Sequence, residues 1–86
     1  QWGLIYRCVE DAELRDEALK LAQHLATQPT YGLALIKRSL NASLSNSFDE
    51  QLELERDLQR RAGRSEDYRE GVSAFMEKRT PSFKGR

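Results

Sequence analysis

From Asp11 onward the apolar residues of this chain return at the spacing of an α-helix. Leu14, Ala18, Leu21, Ala22 and Leu25 form one run, and Asp11 ahead of them suits a helix N-cap. Asp16 and Lys20 stand one turn apart on the other face, in the favourable order for an ion pair. Pro29 closes this helix and can occupy the first turn of a second one, whose stripe is Leu33, Ile36, Leu40 and Leu44. Gly32 near its start costs about 1 kcal/mol relative to alanine. Ser47-Phe48-Asp49-Glu50 is a capping box that starts a third helix. There, Phe48 and Leu52 overlap a second stripe of Leu54, Leu58 and Ala62, more apolar arc than one neighbour can cover. Asp57 and Arg61 make a one-turn pair on its polar side, and Gly63 suits the residue after its end. Ser65 caps a fourth helix that should bury Tyr68, Val72, Phe75 and Met76. It should stop before Pro81, whose ring disfavours helical geometry at Thr80.

The first residues break this pattern. Gly3 to Val9, "GLIYRCV", mixes β-branched, aromatic and aliphatic side chains and reads as extended, with Gly3 suited to the end of a preceding helix. A lone strand has unpaired backbone on both edges and needs a partner that this sequence does not supply. The expected fold class is all-α: about four short helices after one short N-terminal extended segment, packed as a compact unit. Residues 1–10 form the extended lead, 11–80 the helical domain and 81–86 a basic tail. We find no internal repeat, low-complexity tract or long linker.

Composition narrows the function classes. With 86 residues the chain suffices for one small domain with a thin core. Only 38% of it is apolar and 33% is charged. The 14 basic and 14 acidic residues balance and intersperse, which disfavours a general nucleic-acid binder. No apolar run has the length to span a membrane and no signal peptide precedes the domain, so a cytoplasmic protein without membrane partner is expected. The single cysteine, Cys8, excludes an internal disulfide and a cysteine-based zinc site.

Few residues offer chemistry. His24, the only histidine, lies among alanines and leucines with no second ligand at metal spacing, and reads as structural. Cys8 reads as a small buried hydrophobe. Glu50, Glu53, Glu55 and Asp57 could supply an acid/base pair, but they alternate with arginines and read as a solvated face. The sequence has no glycine-rich phosphate loop, no nucleophile–base set and no metal motif, so we assign it no catalytic residue and no metal. The closing "EGVSAFMEKRTPSFKGR" differs in kind. Lys78, Arg79, Lys84 and Arg86 gather positive charge at and beyond a helix C-terminus, where the dipole alone would favour it. Phe83 is an aromatic in a tail otherwise expected to be disordered, and wants a surface to dock on. The residues themselves leave both readings open, a frayed basic end or an anion site.

Resemblance to a family adds to this. "WGLIYRCVED" and above all "DYREGVSAFMEKRTPSFKGR" resemble the C-terminal end of the enoyl-CoA hydratase/isomerase (crotonase) superfamily. That end typically reads Asp-x-x-Glu-Gly-x-x-Ala-Phe-x-x-Lys-Arg-x-Pro-x-Phe, matched here by Asp67, Glu70, Gly71, Ala74, Phe75, Lys78, Arg79, Pro81 and Phe83. Within the superfamily, "LIKRSLNASLSNSFDEQLELERDLQRRAGRSEDYREG" looks most like the phenylacetate-degradation branch, whose members isomerise a CoA-bound ring epoxide.

The resemblance implies a helical C-terminal oligomerisation domain, with residues 1–10 as the joint to an N-terminal spiral domain outside this sequence. In the family that spiral carries the oxyanion hole for the thioester oxygen and any acid/base carboxylates. It also implies a homo-oligomer, a trimer or dimer of trimers, and a substrate carried as a coenzyme A thioester without a prosthetic group. Lys78 matches the family lysine that reaches the phosphates of CoA, commonly from the adjacent subunit. Phe75 matches the aromatic one turn earlier, near the ligand. Gln59 lies where family members often place an aromatic, and so departs from the pattern. The segment alone is expected to bind and not to catalyse. The alternative class is a free-standing helical interaction module with no enzymatic parent.

Overall fold

A computed structural model describes residues 2–86. Gln1, the first residue of the expected joint, lies outside the described residues. Among these residues the chain is all-helical: after a single 3-10 turn (Asp11–Glu13), α1 spans Leu14–Ala26, α2 Thr30–Ser43, α3 Phe48–Gly63 and α4 Glu66–Glu77. No strand forms. The segment from Gly3 to Val9 stays irregular, because a strand needs a neighbour to take its backbone hydrogen bonds and none is present. Gly3 does adopt the left-handed conformation, with φ of 78°.

Capping chemistry set the helix starts, with two corrections. Ser47 accepts the Glu50 amide at 3.2 Å while Glu50 accepts the Ser47 amide at 2.8 Å, closing the capping box of α3. These bonds, the Ser47 amide first, hold the Glu50 carboxyl below its usual range. Ser65 accepts the Tyr68 amide at 3.0 Å and caps α4. Asp11, however, is no cap. The chain turns one residue earlier at Glu10, and Asp11 sits inside the 3-10 turn. Pro29 takes the cap position of α2, its carbonyl accepting the Leu33 amide at 3.1 Å, so the helix begins just after it. Two expected ion pairs also shift register. Lys20 meets Glu17 at 3.4 Å and Arg60 meets Asp57 at 3.6 Å, both three residues apart, since i,i+3 neighbours are as close as i,i+4 ones.

The faces differ more. α2 and α3 form the main helix hairpin and meet around Leu35 and Leu58, both buried. Leu33, Ile36, Leu40 and Leu44, the stripe expected inside, are all exposed. The face that packs carries Gly32, Ser39 and Ala42 beside Leu35, and short side chains let the axes approach. Gln51 locks the hairpin, donating to the Ser39 carbonyl at 3.2 Å and hydroxyl at 3.0 Å while accepting from Asn46 at 3.1 Å. On α3 the surplus apolar arc is present as expected, with Phe48 77% and Leu52 50% exposed.

The compact unit is not what forms. The Cα radius of gyration is 16.3 Å, against about 12 Å for a compact domain of this length. The molecule is a plate of 43 × 40 × 19 Å, and among the described residues its buried apolar core is Leu35, Leu58 and Ala74. α1 packs chiefly on the N-terminal segment, tied to it by an Arg7–Glu17 pair at 2.9 Å. Cys8 is an exposed thiol, not a buried hydrophobe.

Candidate functional site

The closing segment is not a disordered tail. Residues 81–86 turn back and run along α4 without regular structure, with Pro81, Phe83 and Gly85 half-buried and Ser82, Lys84 and Arg86 exposed. Three carboxylates of α4 hold them: Asp67, Glu70 and, at the surface, Glu66, which accepts from Arg86 Nε at 2.9 Å. Asp67, 3% exposed, accepts the Lys84 amide at 2.7 Å and the Gly85 amide at 2.9 Å. The Asp67 amide in turn donates to the Arg86 carbonyl at 2.8 Å. Glu70 accepts both ends of the Arg79 guanidinium, at 2.6 and 3.1 Å, and the Ser82 amide at 2.8 Å. The Arg79 bonds first, then the Ser82 amide, hold the Glu70 carboxyl down at about 2. Arg79 is raised in turn, by Glu70 and then by Glu77, which it meets at 2.6 Å.

These bonds explain which face of α4 is covered. Tyr68, Val72, Phe75 and Met76, expected inside, are exposed, and the buried positions are Asp67 and Ala74 with Glu70 and Gly71 half-buried between them. The tail covers that side and satisfies its carboxylates, so the polar stripe is the packed one. Phe83 lies over Gly71, where an added Cβ would meet the ring at 3.6 Å. Gly85, at φ 79°, passes so close to α2 that a Cβ would come within 2.7 Å of the Thr30 hydroxyl oxygen.

α4 ends at Lys78, the only non-glycine residue with positive φ among those described, at φ 55° and ψ 41°. The Lys78 amide donates to the Phe75 carbonyl at 3.3 Å and the Arg79 amide to the Ala74 carbonyl at 3.0 Å, the paired bonds of a Schellman motif. Glycine is the usual residue there, and an L side chain costs about 1–2 kcal/mol in that conformation. Lys78 is exposed and, among the described residues, has no carboxylate partner.

Phe75, 82% exposed, lines an apolar groove of about 430 Å³ with Tyr68, Gly71, Val72 and Phe83 on one side and Pro29 and Gly32 on the other. Lys78 does not line that groove; it stands three residues on, at the apex where the chain reverses. Gln59 lines a separate groove of about 330 Å³ between α2 and α3, beside Leu35, Ile36 and Leu58. His24 is exposed on α1 in the shallow cleft against Tyr6 and Val9. Among the described residues no cluster of His, Cys, Asp and Glu could hold a metal ion, and no helix is long and apolar enough to cross a membrane.

Sequence reasoning passed over Asp67, Glu70 and Gly71 as working residues, quoting them only as matches to a motif. The available signal was the alternation of Pro81, Phe83 and Gly85 opposite the i, i+3, i+4 spacing of Asp67, Glu70 and Gly71. A segment with one covered face needs such a partner.

The model of the enoyl-CoA hydratase/isomerase family matches residues 1–86. A 1,2-epoxyphenylacetyl-CoA isomerase of Escherichia coli (strain K12) is 59% identical over 86 residues, all of this chain and 33% of that protein. A probable enoyl-CoA hydratase of Rhodobacter capsulatus is 45% identical over 98% of this chain and 33% of its own length. Among solved structures, a putative enoyl-CoA hydratase/isomerase from Mycobacterium abscessus superposes with a TM-score of 0.92 at 34% identity, over 99% of this chain and 33% of that one. The chain thus spans about a third of the length of the relatives it matches.

Proposed function

This chain belongs to the enoyl-CoA hydratase/isomerase family, and from that premise we propose that it is the C-terminal helical part of a cytoplasmic acyl-CoA isomerase or hydratase. The substrate we assign is a ring-epoxidised phenylacetyl-CoA. The observation that carries this reading is the 59% identity, running along every residue of the chain, to a 1,2-epoxyphenylacetyl-CoA isomerase. Catalysis belongs to the part of such an enzyme that this chain does not span, and the helices serve assembly into a homo-oligomer and cover a CoA site. The exposed apolar side chains along α2, α3 and α4 support a role in assembly, because large apolar surfaces left bare commonly mark an interaction site.

Within this reading Lys78 contacts the phosphates of CoA and Phe75 packs near the ligand. A lysine amine is a compact point charge suited to a phosphate, and Lys78 offers one that no neighbouring carboxylate neutralises. The test is kinetic. In the full-length enzyme Lys78→Ala should raise the KM for a CoA ester, and an unchanged KM would remove Lys78 from the site. The 86-residue chain alone should not turn over a CoA thioester; measurable turnover would overturn the division of labour.

A further inference from the structure

Two basic residues stand side by side at the end of α4, and the structure treats them differently. Arg79 is spent on Glu70 and Glu77, its charge matched by both carboxylates. Lys78 next to it has no such partner among the described residues and sits in a left-handed conformation that its own side chain does nothing to favour. What holds that conformation lies on either side of it. Before it, the last carbonyls of α4 take the amides of Lys78 and Arg79. After it, Glu70 binds the Arg79 guanidinium with both oxygens and the Ser82 amide with one, joining the two ends of the reversal to the helix body.

We infer that Glu70, acting through Arg79, is a positioning residue for Lys78: it closes the reversal that sets the lysine at its apex and removes the competing charge of Arg79. This rests on the reading of Lys78 as a contact to the phosphates of CoA. A residue continuing the helix would direct its Cβ back toward the N-terminus of α4. The left-handed turn releases the side chain from that direction, and the Glu70–Arg79 fork keeps the turn from relaxing. A bidentate charged fork fixes geometry as well as charge, which a single hydrogen bond would not.

The experiment compares two substrates in the full-length enzyme, a CoA thioester and the same acyl group on pantetheine, which lacks the nucleotide and its phosphates. Glu70→Gln keeps the size of the side chain and removes its charge. It should raise the KM for the CoA ester several-fold while leaving that for the pantetheine ester unchanged. In a Lys78→Ala background the same substitution should have no further effect on the CoA ester. Arg79→Lys, which keeps the positive charge and breaks the fork, should give the same substrate-dependent pattern and serves if Glu70→Gln folds poorly. An equal rise for both substrates would mean that the clamp merely supports the fold, and overturns the inference. So does an unchanged KM in both variants while Lys78→Ala still raises it. If Lys78→Ala itself leaves the CoA ester unaffected, the reading of Lys78 fails and the inference falls with its premise.

Discussion

Replacing Lys78 with glycine would separate what that position costs from what it does. Glycine adopts the left-handed conformation freely, so Lys78→Gly relieves about 1–2 kcal/mol of strain and returns part of it as unfolded-chain entropy. The full-length enzyme should gain about 0.5–1 kcal/mol, read from its urea midpoint, while its KM for a CoA ester rises. A loss of stability would mean that the lysine makes a structural contact that this chain does not contain. At Gly85 the sign reverses. Gly85→Ala meets an unfavourable φ and a Thr30 oxygen 2.7 Å from the new methyl, so stability should fall and protease should reach the tail. Sequence rules placed the special glycine elsewhere, at Gly63, which remains inside α3 and is not left-handed. The reason is local: Ser65 caps α4 two residues later, so the chain passes between helices without a left-handed reversal. The basic cluster around Lys78 was legible from the residues, but its left-handed conformation was not, because nothing in residue type marks a lysine as a helix terminator.

At the scale of elements, the joint between α4 and the tail carries a pH signature. The folded Glu70 carboxyl titrates at about 2, below its ordinary 4.5. A depressed carboxylate contributes its full stabilisation above the unfolded value and loses it as pH falls through the folded one. The tail should therefore stay docked at pH 5 and release between roughly 4.5 and 2, on the Glu70 values alone. The Ser82 amide resonance, followed by NMR during acid titration, would track this directly; a midpoint near the ordinary carboxyl value would remove the Arg79 fork from the account. Asp67→Ala should free the tail at neutral pH at a cost of about 2 kcal/mol, since a buried carboxylate with backbone donors is lost. The helices were readable from caps and periodicity, and Ser47, Pro29 and Ser65 put their boundaries within a residue or so. Their packed faces were not. Periodicity finds the apolar stripe, but α2 packs by Leu35 among small residues and α4 by Asp67 and Ala74 under a hydrogen-bonded tail.

For the whole molecule, those misread faces share one physical cause. Leu33, Ile36, Leu40, Tyr68, Val72, Phe75 and Met76 are the stripes that helical spacing assigns to a core, and in this chain each is exposed, as are Phe48 and Leu52 of the surplus arc on α3. The pattern is sound as a record of what the helices bury; it records surfaces that packing within these residues leaves bare. A radius of gyration of 16.3 Å and a thickness of only 19 Å say the same from the outside. Stability at this size normally requires a core that removes a large share of the apolar surface from water, and a plate with Leu35, Leu58 and Ala74 inside does not supply one. The isolated chain should therefore not behave as a compact two-state monomer. Small-angle scattering across a concentration series should find either self-association or an expanded monomer that binds a hydrophobic dye, and its thermal transition should depend on concentration. Double substitution of Ile36 and Leu40 by glutamate should suppress the association and leave helix content near its starting value, because both residues are exposed on α2, at the rim of its groove with α3. A sharp, concentration-independent transition with a radius near 12 Å would show instead that α1 to α4 rearrange into a closed bundle of their own. That outcome would bring the exposed stripes inward and return this chain to the free-standing module that its helical periodicity alone allows.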